Sequence, residues 1–174
     1  MITAIVIVAV LVYAVWTRNR LVDGRNRVGN AWAQIDVQLH RRSDLVPNLV
    51  ATVKGYIAHE SEVLEAVAEM RRRIDAAGNN VSARVVSEDD LARSLGVVVS
   101  TAEAVPALRA SDNFLILQEE LRTTENRIGF ARQHYNDSVM RYNVMIARFP
   151  ANLIASLFNF KPAVMFSARG ARTR

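Results

Sequence analysis

Any chemistry in this sequence has to come from its three histidines, its carboxylates, or polar side chains set at helical spacing. A di-iron helical bundle needs Glu-x-x-His on facing helices. The residues three before His40, His59 and His134 are Val37, Tyr56 and Ala131, so that pattern is absent. His59-Glu60 opens like a zinc protease motif, but the second histidine would fall at Val63. The chain has no cysteine, which excludes thiolate metal sites, disulfides and a cysteine nucleophile. There is no Gly-rich phosphate loop and no G-x-S-x-G. No catalytic residue, metal or cofactor is therefore expected. Four polar residues remain, Arg25, Asp36, Asn126 and Arg127, which lie in or beside apolar heptad seams. Unpaired polar groups in a core are costly, so these four are expected to form a register-setting polar network or to line a ligand pocket.

The elements that position such residues follow from apolar spacing. Leu21, Arg25, Val28, Trp32, Ile35 and Leu39 alternate steps of four and three, which predicts a helix ending near Arg42. A second stripe runs from Leu49 through Val53, Tyr56, Glu60, Val63, Val67 and Met70 to Ile74. Ser43 or Asp44 is its expected cap, Pro47 suits a first turn, and Gly78-Asn79-Asn80 its stop. Ser87-Glu88-Asp89-Asp90 reads as the opening of a shorter third helix with Leu91, Leu95, Val98 and Val99 on its apolar side. A fourth and longest stripe begins at Phe114 and ends at Phe149, between Asp112 and Pro150.

These patterns predict an all-α fold: an N-terminal transmembrane helix followed by an elongated antiparallel four-helix bundle. The expected division is an anchor over 1–17, helices over about 18–42, 44–77, 88–105 and 112–149, an apolar flap over 151–162 and a basic tail over 163–174. Sustained heptad spacing implies a left-handed, coiled-coil-like supercoil. Ile2 to Trp16 is an uncharged run of 15 residues. It covers roughly 22 Å of a ~30 Å hydrocarbon core, extended by Thr17 and by snorkelling of Arg18 and Arg20. A cleaved signal peptide is disfavoured, because the arginines follow the apolar run and Val15-Trp16-Thr17 is a poor cleavage site.

Charge supports the same picture. The formal net charge of +5 is local: Arg18 to Arg27 carries +3, and Lys161 to Arg174 carries +4. Val28 to Phe160 holds 14 basic and 16 acidic residues, too balanced for the basic face that nucleic-acid binding needs. The arginines after the apolar run place the helical domain in the cytoplasm by the positive-inside rule. Leu153, Ile154, Leu157, Phe158 and Phe160 make a densely apolar segment, read either as a flap over the end of the bundle or as a membrane or partner docking element. The expected partners are the lipid bilayer and a second copy or other membrane proteins, with no nucleic acid.

Several stretches together resemble the LemA family. They are Arg25-Asn26-Arg27-Val28, Asn30 to Leu39 (NAWAQIDVQL), Arg41 to Val50 (RRSDLVPNLV) and Val53-Lys54-Gly55-Tyr56. In the second half they are Asn113-Phe114, Leu117 to Leu121 (LQEEL), Glu125 to Ile128 (ENRI), Ala131-Arg132, Tyr135-Asn136-Asp137 and Phe149-Pro150 through Lys161-Pro162. The resemblance implies a bacterial inner-membrane protein with a short exterior N-terminus, one anchor and a cytoplasmic helical bundle, of uncertain molecular activity. A non-catalytic scaffold or adaptor in envelope organisation is expected, with ligand sensing by the polar seam residues or membrane remodelling by the flap as alternatives. The chain departs from the family pattern at Ser43, Val105 and Asn159, where an aromatic, a tyrosine and a glycine are usual, and in a tail without acidic residues.

Overall fold

The computed structural model describes residues 1–56, 65, 69, 72 and 81–166, and side chains over the same range except 81–86. Five helices are present among them: α1 (Ile2–Lys54), α2 (Val81–Glu103), α3 (Pro106–Arg109), α4 (Asp112–Ala147) and α5 (Ala151–Leu157). No strand occurs among the described residues, and the chain is all-α with a long apolar N-terminal helix. The expected second helix lies outside the described residues for nearly all of its length beyond Tyr56, as does the basic tail beyond Phe166.

The boundary expected near Arg42 is not there. α1 runs unbroken from Ile2 to Lys54, with Pro47 inside it. The reason is one continuous seam. Ile35, Leu39, Arg42, Val46, Leu49 and Val53 step by four and three without a gap, and all are buried. A proline inside a helix removes one hydrogen bond and crowds the carbonyl four residues back, costing about 3 kcal/mol. Burying Val46, Leu49 and Val53, each with at most 2% of its surface exposed, contributes roughly 1.5–3 kcal/mol per side chain. The burial outweighs the break, and Pro47 itself sits on the exposed side.

The third helix also starts earlier than expected. α2 begins at Val81, so Glu88 lies mid-helix and fully buried instead of in a solvated first turn. Pro106 ends nothing beyond α2; it opens the single turn α3, where a missing N–H is harmless. α4 begins at Asp112 and stops before Pro150, close to the expected limits.

The chain forms two compact units, Met1–Ile35 with Phe130–Met165 and Asp36–Gly129 with Phe166–Arg174. In the first, the glycine at 24 lets two helices come close: a Cβ there would lie 3.2 Å from Tyr142 Cδ2 and closer still to the flexible end of Met145. Trp32 meets Tyr135 edge-on with ring centroids 5.6 Å apart. These pairings run α1 and α4 antiparallel. In the second unit, Val46, Leu49 and Val53 of α1, Leu91, Leu95, Val98 and Ala102 of α2, Leu108 of α3 and Phe114 of α4 form one apolar core. α2 and α4 are antiparallel there, since Gln118 donates to Glu103 at one end while Glu88 and Glu125 both reach Arg42 at the other.

Thr124 occupies a seam position of α4 with no exposed surface, and its Oγ1 makes no hydrogen bond among the described residues. A buried hydroxyl without a partner carries its desolvation cost in full. Thr124→Val, which keeps the shape and removes the hydroxyl, is expected to stabilise the chain by about 1 kcal/mol, read as a higher midpoint in urea denaturation.

Candidate functional site

Two sites emerge, one in each unit. The first is a buried ion cluster in the second unit. Arg42 sits on the core seam of α1, with 2% of its side chain exposed. Its Nη2 donates to the carboxylate and to the backbone carbonyl of Glu88, the latter at 3.0 Å, and its Nη1 donates to Glu125 Oε2 at 2.9 Å. Glu88 is as buried as Arg42, whereas Glu125 is 51% exposed. The guanidinium is thus shared between a deep carboxylate and one at the rim. A groove of about 620 Å³ runs from this rim past Asn126, Arg122, Gln118 and Glu103.

The four polar residues expected to form a network are not brought together. Arg25, Asn126 and Arg127 are exposed, and Asp36 is half-buried. Asp36 faces His40, whose Nδ1 lies 3.6 Å from its carboxylate and 2.9 Å from its carbonyl oxygen. Asn126 lines the groove beside Arg42 and Glu125. Arg25 caps the ring of Phe160 from 5.5 Å in the other unit. The residues that do form a network are Arg42, Glu88 and Glu125, which no short motif marks. Their signal was the uninterrupted seam from Ile35 to Val53, in which Arg42 takes an apolar position.

Among the described residues no group of three or more His, Asp or Glu could hold a metal ion. His59 lies outside the described residues, and His134 is exposed on α4.

The second site is the segment after α4. Asn143 grips the backbone of Ala163 with both halves of its amide, donating from Nδ2 to the carbonyl and accepting from the N–H, each at 2.9 Å. Tyr135 Oη donates to the Val164 carbonyl at 2.8 Å. Burial pushes the phenols of Tyr135 and Tyr142 above their ordinary range, and for Tyr142 the nearby Arg25 partly opposes the shift. The turn that redirects the chain has Asn159 at φ 55°, left-handed backbone that suits glycine and, among other residues, asparagine best. This explains why asparagine is a workable replacement for the usual glycine. Asn159→Val, a β-branched residue at that φ, is expected to cost about 1–3 kcal/mol, while Asn159→Gly is neutral within a few tenths; both are read by thermal unfolding.

The flap itself keeps its apolar side chains outward. Leu153 and Leu157 of α5 are 60% and 75% exposed, and Phe149 and Phe158 are also exposed. Ile154 and Phe160 are half-buried, and Ala155 supplies the packed side. Arg18 stands 5.2 Å over the Phe158 ring, and Arg20 5.2 Å over Trp16. A small cleft is lined by Tyr13, Trp16, Leu21, Phe149 and Ala151. The flap therefore lies against the end of the apolar run of α1. The helix that carries this run is long and apolar enough to cross a membrane, and only 6% of its apolar 18-residue window is buried. A core helix of a globular protein would be mostly covered.

Comparison with known proteins agrees with these features. Magnetosome protein MamQ 2 of Paramagnetospirillum magneticum is 22% identical over 161 residues, covering 78% of this chain and 59% of that protein. MamQ of Magnetospirillum gryphiswaldense is 21% identical over 164 residues, covering 80% and 60%. Protein LemA of Metamycoplasma hominis is 22% identical over 151 residues, covering 87% of this chain and 69% of its own length. The chain thus spans about three fifths of the length of the magnetosome proteins it matches. None of these names denotes a catalytic activity. The LemA family model matches residues 31–174, which takes in the polar cluster, the Asn143 clamp and the flap, and the chain belongs to the LemA family.

Proposed function

We propose that this chain is a non-catalytic, membrane-anchored scaffold, attached to the bilayer at two points and presenting its helical surfaces on the cytoplasmic side of a bacterial inner membrane. The observation that carries this reading is the contact of Arg18 with Phe158. It sets the outward apolar edge of α5 beside the interfacial end of the anchor, where Leu153 and Leu157 enter the headgroup boundary. Tyr13 and Trp16, with ring centroids 6.3 Å apart, suit the same level as an aromatic belt. Arg18, Arg20, Arg25 and Arg27 follow directly and favour the cytoplasmic side for all that comes after. A second attachment would hold α4 at a set angle to the bilayer, which is useful for a platform and unnecessary for a simple tether. Two of the relatives are named magnetosome proteins, and self-association or binding to other membrane proteins is the function such a platform would serve.

The absence of cysteine makes the test direct, because a single introduced Leu157→Cys takes one spin label. In the full chain reconstituted in liposomes, a nitroxide at 157 is expected to be relaxed by oxygen and shielded from a water-soluble paramagnet. A label equally open to both reagents would remove the second attachment. Counting subunits by photobleaching in the same liposomes, with crosslinking to neighbours in cells, tests the scaffold. A chain that stays monomeric and acquires no neighbour would leave that part of the reading without support.

A further inference from the structure

The first unit holds a second, larger groove between α1 and α4, about 740 Å³ in volume, that the reading above does not use. Four of its lining residues are arginines, Arg20 and Arg27 on α1, Arg141 in the last turns of α4 and Arg148 just past its end. None of the four forms an ion pair among the described residues. Asp23 is the one acidic residue in the lining, so the groove carries a clear positive excess. The antiparallel register seen at Gly24 with Met145 and at Trp32 with Tyr135 puts Arg20 level with Arg148, and Arg27 level with Arg141. The two levels are one heptad apart on each helix, roughly 10 Å.

Like charges at this density repel one another, so an unoccupied groove of this kind is destabilising and an anion in it is stabilising. Its place along α1 narrows the choice of anion. Arg20 lies four residues past Trp16, roughly 6 Å along the helix, which is within the headgroup layer if Trp16 marks the edge of the hydrocarbon. The cationic groove also shares Arg20, Met145 and Arg148 with the small cleft lined by Tyr13, Trp16 and Phe149. One side is apolar and faces the anchor; the other is cationic and faces away from it. A phospholipid has the same order of parts, acyl chain then phosphate. A free phosphate has no use for the apolar half, and an acidic peptide has no reason to meet it at the membrane end.

We propose that this groove binds the headgroup of an anionic phospholipid, with Arg20 and Arg148 on the phosphate and the first acyl carbons in the aromatic cleft. The proposal rests on the membrane-anchored reading but makes a separate claim, that the folded unit selects one lipid class. The contacts are charge-assisted and go to a phosphate diester.

The test uses the full chain purified in a neutral detergent, titrated with phosphatidylglycerol, phosphatidylcholine or soluble glycerol phosphate, with binding read by native mass spectrometry and thermal shift. Arg141→Gln with Arg148→Gln removes the two groove arginines on the α4 side and leaves those of α1, which orient the anchor. Phosphatidylglycerol is expected to bind and raise the midpoint, while phosphatidylcholine and glycerol phosphate leave it unmoved. The double variant should bind phosphatidylglycerol about thirtyfold more weakly, from the loss of the Arg148 contact and of the Arg141 charge one heptad away, each at the usual strength of a basic residue near an anionic headgroup. Its own midpoint without lipid should not fall, since repulsion is relieved; the single Arg148→Gln serves the same comparison if the double variant folds poorly. Equal binding of both lipids, unchanged binding by the variant, or an equal response to glycerol phosphate would each overturn the proposal. Co-flotation of the chain with liposomes of phosphatidylcholine alone reports on the anchor independently, so failure of the groove and failure of the anchor are told apart.

Discussion

Arg42→Ala is expected to destabilise the second unit by about 3–5 kcal/mol, a large share of the stability of a unit this size. The guanidinium is the charge partner that both Glu88 and Glu125 are seen to contact. Glu88 is fully buried and cannot turn to water when that partner is lost. Removing one half of a buried pair leaves the other charge in a medium that solvates it poorly. The truncation also empties a seam position between Leu39 and Val46, adding a cavity cost. The pair itself has little net worth, because desolvating two charges consumes most of their attraction. Arg42→Met combined with Glu88→Leu is therefore expected to be neutral or stabilising, although Arg42→Ala alone is severe. Urea denaturation of the full chain in detergent, followed by helical circular dichroism, separates the two cases. A loss below about 1 kcal/mol for Arg42→Ala would mean that the cluster is wetter and weaker than its burial indicates.

Val8→Arg is expected to release the chain from the membrane without unfolding it. Val8 stands near the middle of the uncharged run from Ile2 to Trp16 and is 59% exposed, as are its neighbours at similar levels. A charged residue at the centre of a spanning helix costs about 2.5–3.5 kcal/mol on insertion scales, roughly a hundredfold in the equilibrium. The run is short, so the arginine cannot be hidden by sliding the helix along. Val8 is largely exposed, so helicity should be unchanged. Alkaline carbonate extraction reads the outcome: the parent remains with the membrane pellet and the variant moves to the supernatant. Retention of the variant in the pellet would show that the flap alone holds the chain.

Arg42 and Val8 are two different kinds of position in this chain. The exposed apolar run at Val8 was legible because hydropathy is a property of consecutive residues and needs no partner. The all-α class, the limits of α4 and the apolar character of Leu153, Leu157 and Phe158 were legible for the same reason. At Arg42 local signals pointed the wrong way. Ser43, Asp44 and Pro47 look like the opening of a helix, and each does favour one. The seam running through them, Leu39 to Arg42 to Val46 to Leu49, imposes a stronger demand, since breaking the helix there would misalign every buried residue beyond it. Glu88 behaves in the same way. Acidic residues in a row resemble a solvated first turn, and only a buried cation reaching it from another helix makes it a core residue.

The sequence by itself determined the all-α class, the exposed apolar run at the N-terminus and the apolar stripes of the later helices, because a 3.6-residue repeat and an uncharged run are written in consecutive positions. It also determined that charge gathers next to the anchor. Only the tertiary structure decided who meets whom. Arg42 finds Glu88 and Glu125, which stand 46 and 83 residues away. Asn143 holds Ala163, Arg18 covers Phe158, and four arginines, two from α1 and two from the end of α4 and the residue after it, line one groove. The physical reason is that periodicity fixes a face but not its register. Register is settled when two faces pack and their ends align, and that choice is made by the whole set of side chains at once.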